Sequence, residues 1–366
     1  MRQPAKIRVL HLIDNLDLGG AQTAIFSFLE DFDRERFDVV LASMHANRES
    51  LFFARAAELG IEVVPFSPRR WLPLYVVTLP LFILQGRFQV VHCHLYVSNW
   101  LGKPLAKLFR VPVIISHDHC YERFRFDSPW IAALDAWANG FANRILVIAD
   151  SIRRELIRTE RVPSEKIELM RNGLARKEVP PRPRTLRKTI GGAGRFVPWK
   201  RFDRFLTIAQ QLVRLDSTYR FLIAGSGPEE DSLRQVAQES GLAENVIWMG
   251  QLPTLEKFFD EVDLFLLTSE MEDIPMILME AMYHGVPTAT VAVNKARESL
   301  SDDLLALDAN QSEWEWAKQI DQYFLNPEFL WDLGLKGRAR IEREFMAAQR
   351  IRRIEQIYWE ELARYG

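Results

Sequence analysis

Two glutamates separated by seven residues, Glu272 and Glu280, flank a predicted helix start in TSEMEDIPMILMEAMYHGVP, which spans residues 268–287. Pro275 presets φ for the first helical position and disfavours the α conformation in the residue before it. A Gly-x-Pro sequence at Gly285 predicts where the helix ends. Glu272 is therefore expected in the loop before the helix and Glu280 about one turn inside it.

The start of this helix, at Pro275, Met276 and Ile277, suits a phosphate, because free N–H groups and the positive end of the helix dipole meet there. A carboxylate on each side fits a ligand with hydroxyls at both ends and phosphates in the middle, as in a nucleotide-sugar. A glycoside hydrolase pair is the alternative. Residues eight apart on a regular helix are about 12 Å apart along its axis, whereas hydrolase carboxylates are about 5 to 9.5 Å apart. A bend at Pro275 could shorten that distance, so the spacing does not decide between the two. Taken alone, the pattern is best explained by two surface glutamates at a helix start.

Two basic residues, Arg195 and Lys200, lie in GRFVPWKRF just before another predicted helix. When a glycosidic bond to a diphosphate breaks, negative charge grows on the leaving group, and a guanidinium with an ammonium would stabilise it. Such a pair is usually a solvated surface when it stands alone. In combination with residues 268–287 it favours a phosphate-binding function.

Glycine turns follow several predicted strands. Gly19 and Gly20 come after the first strand and open a helix, where glycine lets the backbone approach a phosphate or sugar closely, although a plain turn explains the pair equally well. Gly225 lies in the turn AGSGPEE, and Gln251 follows the next strand as a candidate contact for the nucleobase. A complete dinucleotide-binding glycine fingerprint is not present.

Four histidines, His92, His94, His117 and His119, end two predicted strands. Residues i and i+2 of a strand share a face, so a metal site fits the pattern, but an active-site histidine is the favoured interpretation. An Asp-Phe-Asp sequence at residues 31–33 could pass for a metal signature and is interpreted as a solvated loop. We therefore expect no metal and no cofactor.

Strand and helix patterns alternate through both halves of the chain, which predicts α/β domains with parallel sheets and helices on both faces. A basic, proline-rich stretch at residues 176–188 is interpreted as a linker. The predicted domains are residues 1–175 and 189–344, and a long helical pattern follows at 345–366. Two doubly wound domains would place a ligand cleft between them.

The bulk composition of the 366 residues is that of a soluble globular protein, with 48% hydrophobic and 26% charged residues and a formal net charge of −2. No basic field argues for nucleic acid. The N-terminal residues lack a signal-peptide pattern, and Cys93 and Cys120 lack a redox spacing, so a cytoplasmic location is expected. The apolar segment 71–85 is too short to span a bilayer. It predicts either a core helix or a surface that contacts a membrane.

The glutamate pair and the Gly-Arg-x4-Lys pattern resemble the retaining GT-B glycosyltransferases of glycosyltransferase family 4. This resemblance implies two Rossmann-like doubly wound domains facing an interdomain cleft, with the C-terminal helix packed back on the first domain. It also implies that Arg195 and Lys200 contact the donor diphosphate and that Glu280 binds the ribose. Glu272 would lie near the transferred sugar, and His117 would contact the donor sugar or the acceptor.

The implied reaction moves a sugar from a nucleotide-diphosphate donor to an acceptor hydroxyl with retention and without a metal. The acceptor would be a glycan or a lipid-linked glycan, met in the cytoplasm or at the inner face of the membrane. A nucleotide-sugar epimerase of the same fold and a non-catalytic nucleotide-sugar or glycan-binding protein are the alternatives. One departure is Asp273, where the family often has glycine.

Overall fold

The computed structural model describes residues 6–17, 19–45, 50–67, 73–119, 128–182, 185–270, 272, 275–291, 300 and 303–365. The chain divides into two compact units. Unit 1 comprises Met1–Ala175 and Ala347–Gly366, and unit 2 comprises Arg176–Met346.

Unit 1 is built on a parallel sheet whose strand order is β3-β2-β1-β4-β5-β6-β7. Its strands are β1 Ile7–Asn15, β2 Phe37–His45, β3 Glu62–Ser67, β4 Val90–His94, β5 Val113–Asp118, β6 Arg144–Val147 and β7 Ile167–Leu169. Its helices are Gly20–Glu30, Leu51–Glu58, Tyr75–Gly86, Tyr96–Leu108, Pro129–Asn139, Asp150–Thr159 and Ala347–Tyr365.

The C-terminal helix Ala347–Tyr365 belongs to unit 1 because its apolar stripe is buried there. Ile351, Ile354 and Tyr358 recur at the spacing of one helix face and are at most 2% exposed. They share one core cluster with Val9 of β1 and other strand residues. The last helix of the sequence therefore completes the core of the first domain.

Unit 2 repeats the architecture with the strand order β10-β9-β8-β11-β12-β13, again in parallel. Its strands are β8 Thr189–Ala193, β9 Arg220–Ala224, β10 Val246–Gly250, β11 Leu264–Leu267, β12 Thr288–Thr290 and β13 Leu305–Ala306. Its helices are Phe202–Leu215, Glu230–Glu239, Glu256–Glu261, Met276–Tyr283, Glu313–Phe324 and Pro327–Glu344. The prediction of α/β domains with doubly wound parallel sheets is confirmed for both units.

The stretch predicted as a linker, residues 176–188, is part of unit 2 in the structure. The Lys177 ammonium pairs with Glu256 at 2.7 Å, and the Arg182 guanidinium donates to the carbonyls of Phe259 and Val262. These carbonyls close a short helix, whose last acceptors lack partners within the helix. Arg182 therefore caps the carboxyl end of this helix, and Lys177 pairs with its first residue.

In each sheet the direction in which successive strands are added changes at one point. The two adjacent strands at this point are followed by chain segments that run to opposite faces of the sheet. In such sheets the carboxyl ends of the two strands at the reversal frame a crevice that binds ligands. In unit 1 the reversal lies between β1 and β4, and in unit 2 between β8 and β11. Arg195 and Lys200 follow β8, and Glu272 follows β11, so these predicted site residues border the crevice of unit 2.

The described part of the apolar segment 71–85 lies in the helix Tyr75–Gly86, which is only partly a core helix. Leu79 and Ile83 are buried, but Val77 is 66% exposed and Leu84 is 57% exposed. Among the described residues, no helix combines the length and the apolar character needed to cross a bilayer.

Candidate functional site

The loop after β8 carries the predicted basic pair. The Arg195 side chain is exposed, and no hydrogen bond or ion pair engages its guanidinium within the described part of the chain. Lys200 ends a short 3₁₀ turn, Pro198–Lys200, and is half-buried. The Thr268 hydroxyl, at the end of β11, donates to the Lys200 carbonyl oxygen at 3.2 Å. Residues distant in sequence thereby hold the two loops of the crevice against each other.

Lys200 and Glu272 form an ion pair across this crevice, with 20% and 15% of their side chains exposed. The sequence placed Lys200 at the diphosphate and Glu272 at the sugar, and the structure brings the two side chains into contact. In an ion pair the carboxylate holds the ammonium in place and partly neutralises it. A diphosphate bound here would therefore share the ammonium with Glu272 or displace that carboxylate.

The helix between the two glutamates begins at Met276, one residue later than predicted, because Pro275 has the extended ψ of 113° and acts as the N-cap. The Leu278 N–H bonds to the Pro275 carbonyl at 3.1 Å. Within the described residues, the N–H groups of Met276 and Ile277 have no backbone acceptor, and the first turn carries no acidic side chain. These two amides and the positive end of the helix dipole lie where the sequence predicts a bound anion, and the binding itself remains a prediction.

Glu280 lies in the second turn of this helix and is half-buried. The helix closes at Gly285, whose φ of +70° is the left-handed conformation that favours glycine. As predicted, Glu280 lies on this helix and Glu272 lies in the loop before it. The roles of the two carboxylates toward a ligand remain predictions.

The glycine turn after β9 packs against the Arg195 loop. Gly225 has a φ of +138°, and a Cβ atom there would lie 1.9 Å from the Gly194 carbonyl oxygen. The Phe196 N–H donates to the Ser226 carbonyl at 2.9 Å, and the Ser226 hydroxyl lies 3.3 Å from Oε1 of the exposed Gln251. The turns after β8, β9 and β10 therefore form one continuous surface beside the basic pair.

In unit 1, Gly19 caps the helix that begins at Gly20, as predicted. The Gln22 side chain folds back and donates to Asn15 at 3.0 and 3.1 Å. A Cβ atom on Gly19 would lie 2.6 Å from Oε1 of Gln22, which is the far end of a flexible side chain that could shift to make room. A contact between Gly19 or Gly20 and a donor remains a prediction.

Five histidines of unit 1 form a buried cluster along β1, β4 and β5, from the middle of β1 and β4 to the carboxyl ends of β4 and β5. It contains His11, which the sequence interpretation missed, beside His92, His94, His117 and His119. Nδ1 of His11 lies 3.0 Å from Nε2 of His94, and Nδ1 of His94 lies 2.9 Å from Nε2 of His119. We name these five residues the histidine cluster.

Burial governs the charge of this cluster, because an ion is poorly solvated in the interior. It lowers the pKa of His11 to about 3 and that of His119 to about 4. It lowers the pKa of His92, His94 and His117 well below the ordinary value as well. All five imidazoles are therefore neutral near pH 7.

His117, predicted to touch the donor sugar or the acceptor, is fully buried within the histidine cluster. Its ring stacks on His119 at a centroid distance of 4.1 Å. A contact with a sugar would require the groups that cover the ring to move. This role remains a prediction.

Asp14 was also missed in the sequence. Its carboxylate accepts hydrogen bonds from the backbone N–H groups of Tyr96, Val97 and Ser98 at 2.7 to 3.1 Å. It thus occupies the anion-binding helix start after β4, the equivalent in unit 1 of the Met276 helix in unit 2. The preceding Leu95 has a φ of +68°, a strained conformation for a branched side chain. In the sequence, the position of Asp14 near the end of the first strand is the one feature that could have indicated its role as a helix cap.

Some predicted features fall outside the described residues, namely Asp273, Cys120 and the first two residues of the segment 71–85. Cys93 is a free, buried cysteine. Burial raises the pKa of its thiol to about 12, so it stays protonated and unreactive near neutral pH.

Comparison with known proteins adds two family matches. Residues 178–340 match the family of glycosyl transferases group 1, and residues 18–177 match Glycosyltransferase Family 4. The uncharacterised glycosyltransferase MJ1607 of Methanocaldococcus jannaschii is 21% identical over 64% of each chain. EpsF of Bacillus subtilis, named as a glycosyltransferase, is 22% identical over 76% of this chain and 78% of its own. The match thus spans less than two thirds of the first of these relatives.

The fold has solved counterparts. The structure of Anabaena Alr3699/HepE in complex with UDP-glucose superposes with a TM-score of 0.82 at 16% identity, covering 97% of this chain and all of that one. The two family matches run consecutively from residue 18 to residue 340. The chain belongs to the GT-B glycosyltransferases of family 4.

Proposed function

We propose that this protein transfers a glycosyl group from a nucleotide-diphosphate-sugar to an acceptor hydroxyl during glycan assembly. One observation carries the proposal. An exposed guanidinium, an ammonium and two helix N–H groups that have no backbone acceptor among the described residues border the crevice at the strand-order reversal of unit 2. Positive groups arranged at such a crevice suit a diphosphate.

In this proposal the Arg195 guanidinium binds the diphosphate first, because it is exposed and free of competing carboxylates among the described residues. Lys200 follows when the ligand draws its ammonium away from Glu272. The N–H groups of Met276 and Ile277 complete the anion site. These positive groups take the place of a divalent cation, so the proposed transfer does not depend on Mg²⁺ or Mn²⁺.

Other residues would bind the nucleoside and the sugar at the two ends of the donor. Glu280 accepts hydrogen bonds from the ribose hydroxyls, and Gln251 with the Gly225 turn lies where the nucleobase would extend. Glu272 lies near the transferred sugar. Because Alr3699/HepE was solved with UDP-glucose, UDP-sugars are the first donors to test. Retention is part of the proposal, and the anomeric configuration of the first product by NMR checks it.

Glu280→Gln is expected to weaken binding of UDP by about 10- to 100-fold. Hydrogen bonds to a charged acceptor contribute about 1.5–3 kcal/mol, and each 1.4 kcal/mol is about tenfold in affinity. Isothermal titration calorimetry with UDP measures the effect. Glu261→Gln, which removes an exposed carboxylate from another helix of unit 2, is the control and should bind as the wild type does. Equal affinities of the Glu280 variant and the wild type would remove Glu280 from the nucleotide site.

We also propose that the exposed face of the helix Tyr75–Gly86 contacts a membrane that holds a lipid-linked acceptor. This face presents Val76, Val77, Leu81 and Leu84, each more than half exposed. Burying one such side chain stabilises binding by about 1.5–3 kcal/mol. The inner face of the cytoplasmic membrane is the proposed location.

The double substitution Val77→Asp with Leu84→Asp is expected to reduce cosedimentation with phospholipid vesicles at least about tenfold, because two charged groups would replace apolar contacts. Vesicles of phosphatidylcholine and phosphatidylglycerol are the probe. Ile247→Asp, at an exposed apolar position of unit 2, is the control and should leave sedimentation unchanged. A wild-type protein that stays in the supernatant at every composition would end the membrane proposal.

A further inference from the structure

The histidine cluster contains polar atoms that its own hydrogen bonds do not satisfy. Among the described residues, both ring nitrogens of His117, Nδ1 of His119 and Nε2 of His92 are buried and have no partner in good hydrogen-bond geometry. The Met170 backbone beside His117 and the Asn172 side chain beside His119 are close enough to raise the pKa of each imidazole slightly, but they leave these nitrogens without a well-formed bond. A neutral imidazole carries one N–H donor and one lone pair. Leaving such groups unpaired in the interior costs free energy, and a bound ion or water is the usual explanation.

The hydrogen bonds that do exist form a chain. It runs from His119 through His94 to His11, whose Nε2 lies 3.5 Å from the Tyr358 hydroxyl, and that hydroxyl lies 2.6 Å from Nδ1 of His92. This chain uses both nitrogens of His11 and of His94. It accounts for no nitrogen of His117, and among the described residues the Met170 backbone is the polar group that acts on this ring, without a well-formed hydrogen bond.

Two sets of three histidines have ligand atoms within 4.8 Å of one another, and they share His94. In the set with His11 and His92, five of the six ring nitrogens already take part in the hydrogen-bond chain. The set with His117 and His119 contains three of the four unpartnered nitrogens. It also includes the closest ring stack of the cluster, which keeps His117 and His119 side by side.

We infer that His94, His117 and His119 form a binding site for one transition-metal dication that prefers nitrogen ligands, such as Zn²⁺. Neutral imidazole suits Zn²⁺, Cu²⁺ and Ni²⁺, whereas Mg²⁺ and Ca²⁺ prefer oxygen. Three histidines leave a fourth position open for water. The site lies in unit 1.

Binding requires a local rearrangement. Nitrogens on one tetrahedral zinc ion are about 3.3 Å apart, given Zn–N bonds of about 2.0–2.1 Å, and His94 and His119 are now joined at 2.9 Å. A nitrogen that donates a proton cannot also coordinate. The hydrogen bond between His94 and His119 must therefore open, and a nitrogen of His117 gains a well-formed partner.

The test uses the full chain without a histidine tag, treated with chelator and dialysed. Zn²⁺ and Co²⁺ are titrated, bound metal is counted by elemental analysis, and visible absorption of Co²⁺ reports nitrogen ligation. We expect about one ion per chain and a rise in the unfolding temperature with Zn²⁺. Wild-type protein that binds no stoichiometric Zn²⁺ or Co²⁺ would overturn the inference, and the cluster would then be a hydrogen-bonded chain only.

Variants locate the site. His117→Gln and, independently, His119→Gln are expected to weaken binding of Zn²⁺ at least tenfold. His284→Gln removes another buried histidine, in unit 2, and should retain binding. Folding of each variant is checked by circular dichroism, and stoichiometric binding that survives in both folded cluster variants would contradict the assignment. No donor is used, so this result is independent of the proposed transferase activity.

Discussion

Lys200→Ala is expected to lower kcat for glycosyl transfer by about 100- to 1,000-fold. Charge on the diphosphate grows as the glycosidic bond breaks, so an ammonium placed at this position stabilises the transition state more than the bound donor. Removing a single donor of this kind typically costs about 100- to 1,000-fold in rate. The variant also leaves Glu272 without its cation, which adds repulsion toward the diphosphate. Initial rates at saturating UDP-sugar measure the effect.

Two comparisons make this result interpretable. Lys257→Ala removes an exposed lysine from a helix of the same unit and should keep full activity. The double variant Lys200→Ala with Glu272→Gln lacks both the ammonium and the carboxylate charge. Its rate therefore shows how much of the loss in Lys200→Ala comes from the missing ammonium and how much from repulsion by Glu272. Assays with and without Mg²⁺ or Mn²⁺ accompany each measurement, because the proposal expects equal rates. An unchanged kcat in Lys200→Ala would refute its role in the transition state.

Gly225→Ala is expected to destabilise unit 2 by about 2–6 kcal/mol. The residue has a φ of +138°, which costs about 1–3 kcal/mol for an L side chain. The added methyl group would lie 1.9 Å from the Gly194 carbonyl oxygen, and overpacking costs about 1–3 kcal/mol more. Thermal and urea unfolding followed by circular dichroism measure the change.

Gly194→Ala is the matched control for this substitution. Its φ of +149° is close to that of Gly225, but a Cβ atom there meets nothing within 4 Å. The control should therefore carry the backbone strain without the steric clash, and lose about 1–3 kcal/mol. If both variants unfold at the same urea concentration, the contact between the Gly225 turn and the Arg195 loop is not what fixes glycine at this position.

The architecture and the parts of the candidate donor site that depend on local chemistry can be predicted from the amino-acid sequence. Alternating strand and helix patterns fix two doubly wound sheets, because each pattern reflects which faces must be buried. The start of the Met276 helix and its end at Gly285 follow from the φ preferences of proline and glycine, which act within a few residues. The basic pair and the two glutamates were recognised because their spacing lies within single loops and helices.

Contacts that depend on which strand ends become neighbours could not be predicted in this way, because they follow from the order of the strands in each sheet. The ion pair between Lys200 and Glu272 joins loops that follow β8 and β11, and only the sheet order brings these strands together. The same reason explains why Asp14 caps the helix after β4 and why His11 joins the histidine cluster. A lone residue in a strand pattern carries no signal of its neighbour across the sheet. Such contacts become visible only when parallel pairing places the strands side by side.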